Sequence, residues 1–135
     1  MMKSKVFKFA LLAVIVSIAA CEKDDHEHDK NDNIPPTISI IRPNESAFRV
    51  GDTVFIQINV LDNVELHEVD VFINDKVTGA EKYKLHRHSH SREVNINSWW
   101  IAEAGEGHAD YVLIVTAEDA AGNKAERTHE FHVDL

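Results

Sequence analysis

From residue 37 to the end of the chain, apolar and polar residues alternate in short runs separated by turn signals. Residues 37–41 (TISII) alternate before Arg42-Pro43-Asn44, and in residues 54–61 (VFIQINVL) Val54, Ile56, Ile58 and Val60 share one face. Val69, Val71 and Ile73 continue the pattern up to Asn74-Asp75, and Val94 with Ile96 marks a further run. Tyr111, Leu113, Val115 and Ala117 line one side of a longer segment that runs into Asp119-Ala120-Ala121-Gly122-Asn123, and residues 125–133 close the series. A period of two means strands with one face on a core and one in water. A 3.6-residue period is lacking, although residues 98–104 have room for one helical turn. The pattern predicts an all-β antiparallel sandwich of about seven strands over residues 37–135.

The parity of the alternation changes across the histidine run. Tyr83 and Leu85 are odd-numbered, whereas Val94 and Ile96 are even-numbered. One uninterrupted strand would turn one of these pairs outward, so a turn or bulge is expected between residues 86 and 93.

The first 36 residues read differently. Lys3, Lys5 and Lys8 precede a charge-free apolar run of 12 residues, FALLAVIVSIAA at 9–20. This is the build of a secretory signal, too short for a permanent bilayer span. Residues 22–33 (EKDDHEHDKNDN) carry six acids, two lysines, two histidines and no apolar residue. Nothing there offsets the entropy of ordering, so a disordered, solvated tether is expected, ending at the stiff Ile34-Pro35-Pro36. The domain division is therefore a cleaved leader at 1–20, a linker at 21–36 and a sandwich at 37–135.

Four resemblances follow from residues along the chain. Ile18-Ala19-Ala20-Cys21 resembles a bacterial lipobox, which implies that Cys21 becomes a lipidated N-terminus and that the membrane is held through acyl chains. Lys23-Asp24-Asp25 after it resembles the export signal of surface lipoproteins in the Bacteroidota, implying an outer-membrane, cell-surface location. Pro36-Thr37-Ile38-Ser39-Ile40, Gly51-Asp52-Thr53-Val54, Asn59-Val60-Leu61-Asp62-Asn63 and the stretch from Gly107-His108 to Gly122-Asn123 resemble bacterial immunoglobulin-like and fibronectin-type repeats. As a whole the chain is similar to small histidine-rich Bacteroidota lipoproteins whose domain has no assigned function, and such folds host binding, adhesion and spacer roles alike.

Charge sharpens what the chain can bind. With 14 basic and 23 acidic residues the net charge is -9, and it becomes -12 once the three leader lysines are removed. No basic surplus is left for a phosphate backbone, so nucleic acid is excluded as a partner class. The single cysteine excludes an internal disulfide and a cysteine-based zinc cluster. No nucleophile elbow, phosphate loop or HExxH helix is present, so an enzyme is not expected.

Histidine is the unusual component. Seven lie in residues 37–135, three of them in His86-Arg87-His88-Ser89-His90. On an extended strand i, i+2 and i+4 face one way, roughly 7 Å apart, so two imidazoles can converge on one ion and the third joins if the chain bends. Imidazole suits Zn(II), Cu(II) or Ni(II). No motif demands a cofactor beyond such an ion. His67 has the parity of Val69 and Val71 and begins a core-facing row, and His108 precedes the strand at Tyr111; both read as packing residues or as completing a shell around His86, His88 and His90. The competing reading of the cluster is a polar edge that discourages sheet aggregation. His129 and His132 have opposite parity and read as surface residues. Asp62 and Asp119, with Asp52 and Asn63, are candidates for Ca(II) at one pole of the sandwich, against simple capping of their own turns. In Trp99-Trp100 parity assigns Trp100 to the core and Trp99 to the surface, where an indole can serve as a platform for a glycan or an outer-membrane protein. Two functions stand side by side: a lipid-anchored metal-binding module, and a glycan- or protein-recognition or structural module centred on Trp99.

Overall fold

The structure, a computed structural model, describes residues 31–103 and 108–135. The leader, Cys21, the tether up to residue 30 and the Gly105-Glu106-Gly107 approach to His108 lie outside the described residues. Among the described residues there are eight strands and no helix: β1 (Thr37–Arg42), β2 (Ala47–Arg49), β3 (Thr53–Leu61), β4 (Leu66–Asp75), β5 (Glu81–His88), β6 (Glu93–Ile101), β7 (Ala109–Asp119) and β8 (Lys124–Asp134). They form two sheets, β1-β3-β6 and β2-β8-β7-β4-β5. All pairs are antiparallel except β2, which lies parallel to β8. Three-residue β2 is too short to show alternation, and it brings the expected seven strands to eight.

Alternation becomes burial. Val54, Ile56, Ile58 and Val60 on β3, Val69, Val71 and Ile73 on β4, and Leu113 and Val115 on β7 are all at most 1% exposed. Each such side chain contributes roughly 1.5–3 kcal/mol when taken out of water. One end of the core is aromatic: Trp100 meets Tyr111 edge-on at 5.1 Å between ring centroids, and Phe131 meets Phe48 at 5.4 Å. Tyr111 donates its hydroxyl to the Glu103 carbonyl, and burial pushes its phenol up from the ordinary value. The segment from Ser98 to Ile101 belongs to β6, where Trp100 is needed in the core, so no helical turn forms there.

The parity shift falls where the two sheets exchange the chain. β5 ends at His88 on the edge of the larger sheet and β6 starts at Glu93 on the edge of the smaller one, so residues 89–92 cross between layers. Tyr83 and Ser98 close that side with a 2.7 Å hydroxyl contact between the sheets. At the opposite edge β2 hydrogen-bonds along the end of β8 from Ala47↔His132 to Arg49↔Asp134. His129 is half-buried: it donates Nε2 to the Glu45 carbonyl at 2.8 Å and stacks beside Phe131.

Candidate metal-binding face

The histidine site begins with an irregularity in β4. Against β7 the register runs Glu68↔Glu118, Val69↔Ala117 and onward, but Leu66 pairs with Asp119, leaving His67 as an extra residue. This is a β-bulge, which lets two consecutive side chains point the same way. Leu66 and Val69 are both buried, and His67 and Glu68 between them stand together on the outer face. The expected core-facing position of His67 is thus corrected: Leu66 fills that place and the bulge re-aims the imidazole outward.

Across the β4–β5 ladder Glu68 lies opposite His88, and Asp70 opposite His86. The His67 carbonyl accepts from the Ser89 amide at 2.9 Å, which carries the pairing past the end of β5. The His67 and His88 rings meet edge-on at 4.6 Å between centroids, and the His88 and His90 rings at 4.8 Å. Ligand atoms of His67, Glu68 and His88 all lie within 4.8 Å of one another. His88 Nε2 and His90 Nε2 are 3.2 Å apart. Two nitrogens on one tetrahedral zinc, each at about 2.05 Å, stand about 3.3 Å apart, so this pair is already at ligand spacing.

Carboxylates orient the rings. His90 Nδ1 donates to Glu65 Oε1 at 2.8 Å, which leaves Nε2 of the neutral ring with its lone pair directed at His88. An imidazole held by a carboxylate through its second nitrogen is the usual support of a metal-bound histidine. Glu65 is itself fixed, its amide bonded to Asp62 Oδ2 at 2.8 Å. Arg92 directs its Nε to the Val64 carbonyl, and Arg87 alternates to the side of β5 opposite His86 and His88.

The remaining sequence candidates are placed elsewhere. His86 shares the outer face but donates Nδ1 to Asp70 at 2.8 Å; like His90 it lies outside the convergent group of His67, Glu68 and His88, but only His90 is joined to that group, through His88. His108 is exposed just before β7, whereas the cluster lies beside that strand's far end, where Asp119 pairs with Leu66. The 11 residues of β7 separate them by roughly 33 Å, so His108 takes no part in a shared shell. Sequence reasoning missed Glu65, Glu68 and Asp70. The signal for the first two was their flanking of His67 in Glu65-Leu66-His67-Glu68.

A second exposed feature occupies the smaller sheet. Trp99, 63% exposed, sits directly across the β3–β6 ladder from Phe55, 56% exposed. Beside Phe55 a shallow depression of about 290 Å³ is lined by Arg42, Gln57 and Asn97 as well.

Residues 36–96 match the family model of a bacterial Ig domain. The fold is immunoglobulin-like. A crystal structure of an engineered protein is similar at 18% identity and a TM-score of 0.50, over 74% of this chain and 20% of that one. Spo0M, a sporulation control protein from Bacillus subtilis, aligns at 10% identity and a TM-score of 0.47, over 76% of this chain and 50% of that one. The chain therefore spans half or less of the length of these two structures, and the first likeness concerns the fold alone. No curated protein matches it. An immunoglobulin-like domain of this kind is a structural or binding module, and its specificity lives in the side chains it displays.

Proposed function

We propose that the protein is a non-catalytic binding module, anchored by lipid at Cys21 and displayed at the outer-membrane surface, that takes a divalent transition metal on the outer face of its larger sheet. His67, Glu68 and His88 are the ligands, His90, joined to His88, is the candidate fourth, and Glu65 orients His90. The 3.2 Å spacing of His88 Nε2 and His90 Nε2, beside His67, carries the reading. Nitrogen-rich ligation favours Zn(II), Cu(II) or Ni(II) over Ca(II) or Mg(II). Calorimetric titration of zinc into the full-length protein in detergent tests it. One ion per chain is expected, and a His67/His88/His90 triple alanine variant that binds zinc as tightly as wild type refutes the reading.

The Trp99–Phe55 pair favours a second reading, a glycan- or protein-recognition face. Two adjacent exposed rings beside the amides of Gln57 and Asn97 and the Arg42 guanidinium offer stacking together with hydrogen bonds. Binding to a glycan array that persists after Trp99→Ala removes the aromatic platform.

A further inference from the structure

The geometry points to a second, chemically distinct cation site: Asp32, Asp62 and Asp119 form an all-oxygen calcium site that clamps the end of the tether to the pole of the sandwich. Asp32 precedes β1, Asp62 follows β3 and Asp119 ends β7, and ligand oxygens of the three all lie within 4.8 Å of one another. Bound at the usual 2.3–2.6 Å, oxygens on opposite sides of one calcium stand about 5 Å apart, so the three fit a single ion.

Hydrogen bonds within the turns explain one oxygen of each outer carboxylate and leave the other over. Asp62 Oδ2 accepts the Val64 and Glu65 amides, each at 2.8 Å. Asp32 Oδ1 accepts the Ile34 amide and Asn63 Nδ2, each at 3.0 Å. Asp62 Oδ1 and Asp32 Oδ2 are buried and have no partner. Asp119 is 2% exposed, the one buried charged residue among those described; Oδ1 accepts the Ala121 and Asn123 amides, and Oδ2 accepts Asn123 Nδ2 at 2.7 Å. Among the described residues none of the three is ion-paired with Lys, Arg or His. Turn capping thus accounts for Asp119 but leaves one buried oxygen of Asp32 and one of Asp62 without a partner. Such oxygens are stabilised by a cation. Donors that are all hard oxygens, with neither nitrogen nor sulfur, select calcium over the metals suited to the histidine face.

The site also departs from the expected free tether. Asn123 Nδ2 donates to the Asp32 carbonyl at 3.0 Å, so both turn amides, Asn63 and Asn123, hold Asp32 against the pole. Asp52, grouped with these acids by sequence, caps Arg49 at the other end of β3.

Calcium titration of the full-length protein in detergent tests the assignment, with thermal unfolding in calcium, in magnesium and in EDTA. One calcium per chain is expected, in the roughly 10⁻⁴–10⁻³ M range of extracellular modules, with a higher midpoint in calcium than in either comparison. Asp32→Asn, which alters no strand, and Asp62→Asn should each weaken binding at least tenfold, while the His67/His88/His90 triple alanine variant binds calcium unchanged. The inference is overturned if folded wild type takes up no calcium, if magnesium stabilises equally, or if Asp32→Asn and Asp62→Asn bind as wild type does. Zinc binding is read separately, so either site can fail without the other.

Discussion

If His88 is the hub of the histidine site, single substitutions must follow a graded order set by the geometry. His88 touches both neighbours, at 4.6 Å and 4.8 Å between ring centroids, so His88→Ala removes a ligand nitrogen and the bridge between the other two. Loss of a second-shell partner costs about 10–100-fold in metal affinity. Glu65→Ala, which removes the acceptor of His90 Nδ1, should fall in that range. Loss of a ligand must exceed it, so His88→Ala is expected to weaken zinc at least about 100-fold, or about 2.7 kcal/mol. His86→Ala should change affinity less than about threefold, because that ring is engaged with Asp70 and lies one strand step of roughly 7 Å from His88. Competition against a chromophoric chelator at fixed pH and salt measures all three. These side chains lie on the outer face, so unfolding midpoints should stay near wild type and affinities remain comparable. If His86→Ala costs as much as His88→Ala, the proposed site beside the bulge is refuted.

Other outcomes follow from the same coordinates. Zinc should be released as pH falls below about 6, because ligation needs neutral imidazoles; retention at pH 4.5 in the chelator assay would contradict histidine ligation. Trp100→Ala should cost about 3–5 kcal/mol in urea unfolding, since it removes a ring packed on Tyr111 and Phe131, while Trp99→Ala, on the exposed face, should stay within about 1 kcal/mol. Stability should also decline at alkaline pH. Burial raises Tyr111, and hydrogen-bonded ion pairs to Glu103 and Glu118 raise Lys82 and Lys124. A group raised in the folded state adds stability that is complete below its unfolded pKa and lost as pH rises through the folded one, so the midpoint should hold to about pH 10 and fall above it. A flat profile to pH 12 would contradict the sign.

Much of the fold was legible because strand alternation is local. Val54 to Val60 and Tyr111 to Ala117 each carry their burial in their own spacing, and the parity shift before Val94 marked the passage between sheets. His67 was misread because a bulge breaks that spacing without a characteristic residue. The available signal was Leu66 and Val69, two apolar residues three apart, which share a face in a strand only when an extra residue is accommodated between them. Asp32 was assigned to the tether because its neighbours are acidic and polar. The partners that hold it, Asn63 and Asn123, are 31 and 91 residues away in the chain, and no local pattern reports contacts of that range.

The position of β5 has a consequence for local opening. As the outermost strand of the larger sheet, it has a backbone ladder to β4 alone, from Asn74↔Glu81 to Glu68↔His88. Strands with one neighbour are drawn from the least stable end of a fold, and their amides exchange with solvent through small fluctuations. An ion shared by His67 on β4 and His88 on β5, as proposed, would fasten the free end of that strand to the sheet, and opening β5 would then require the ion to leave. Protection of amides in residues 81–88 should therefore rise by a factor of about 1 + [Zn]/Kd, while those at the centre of β7 stay unchanged.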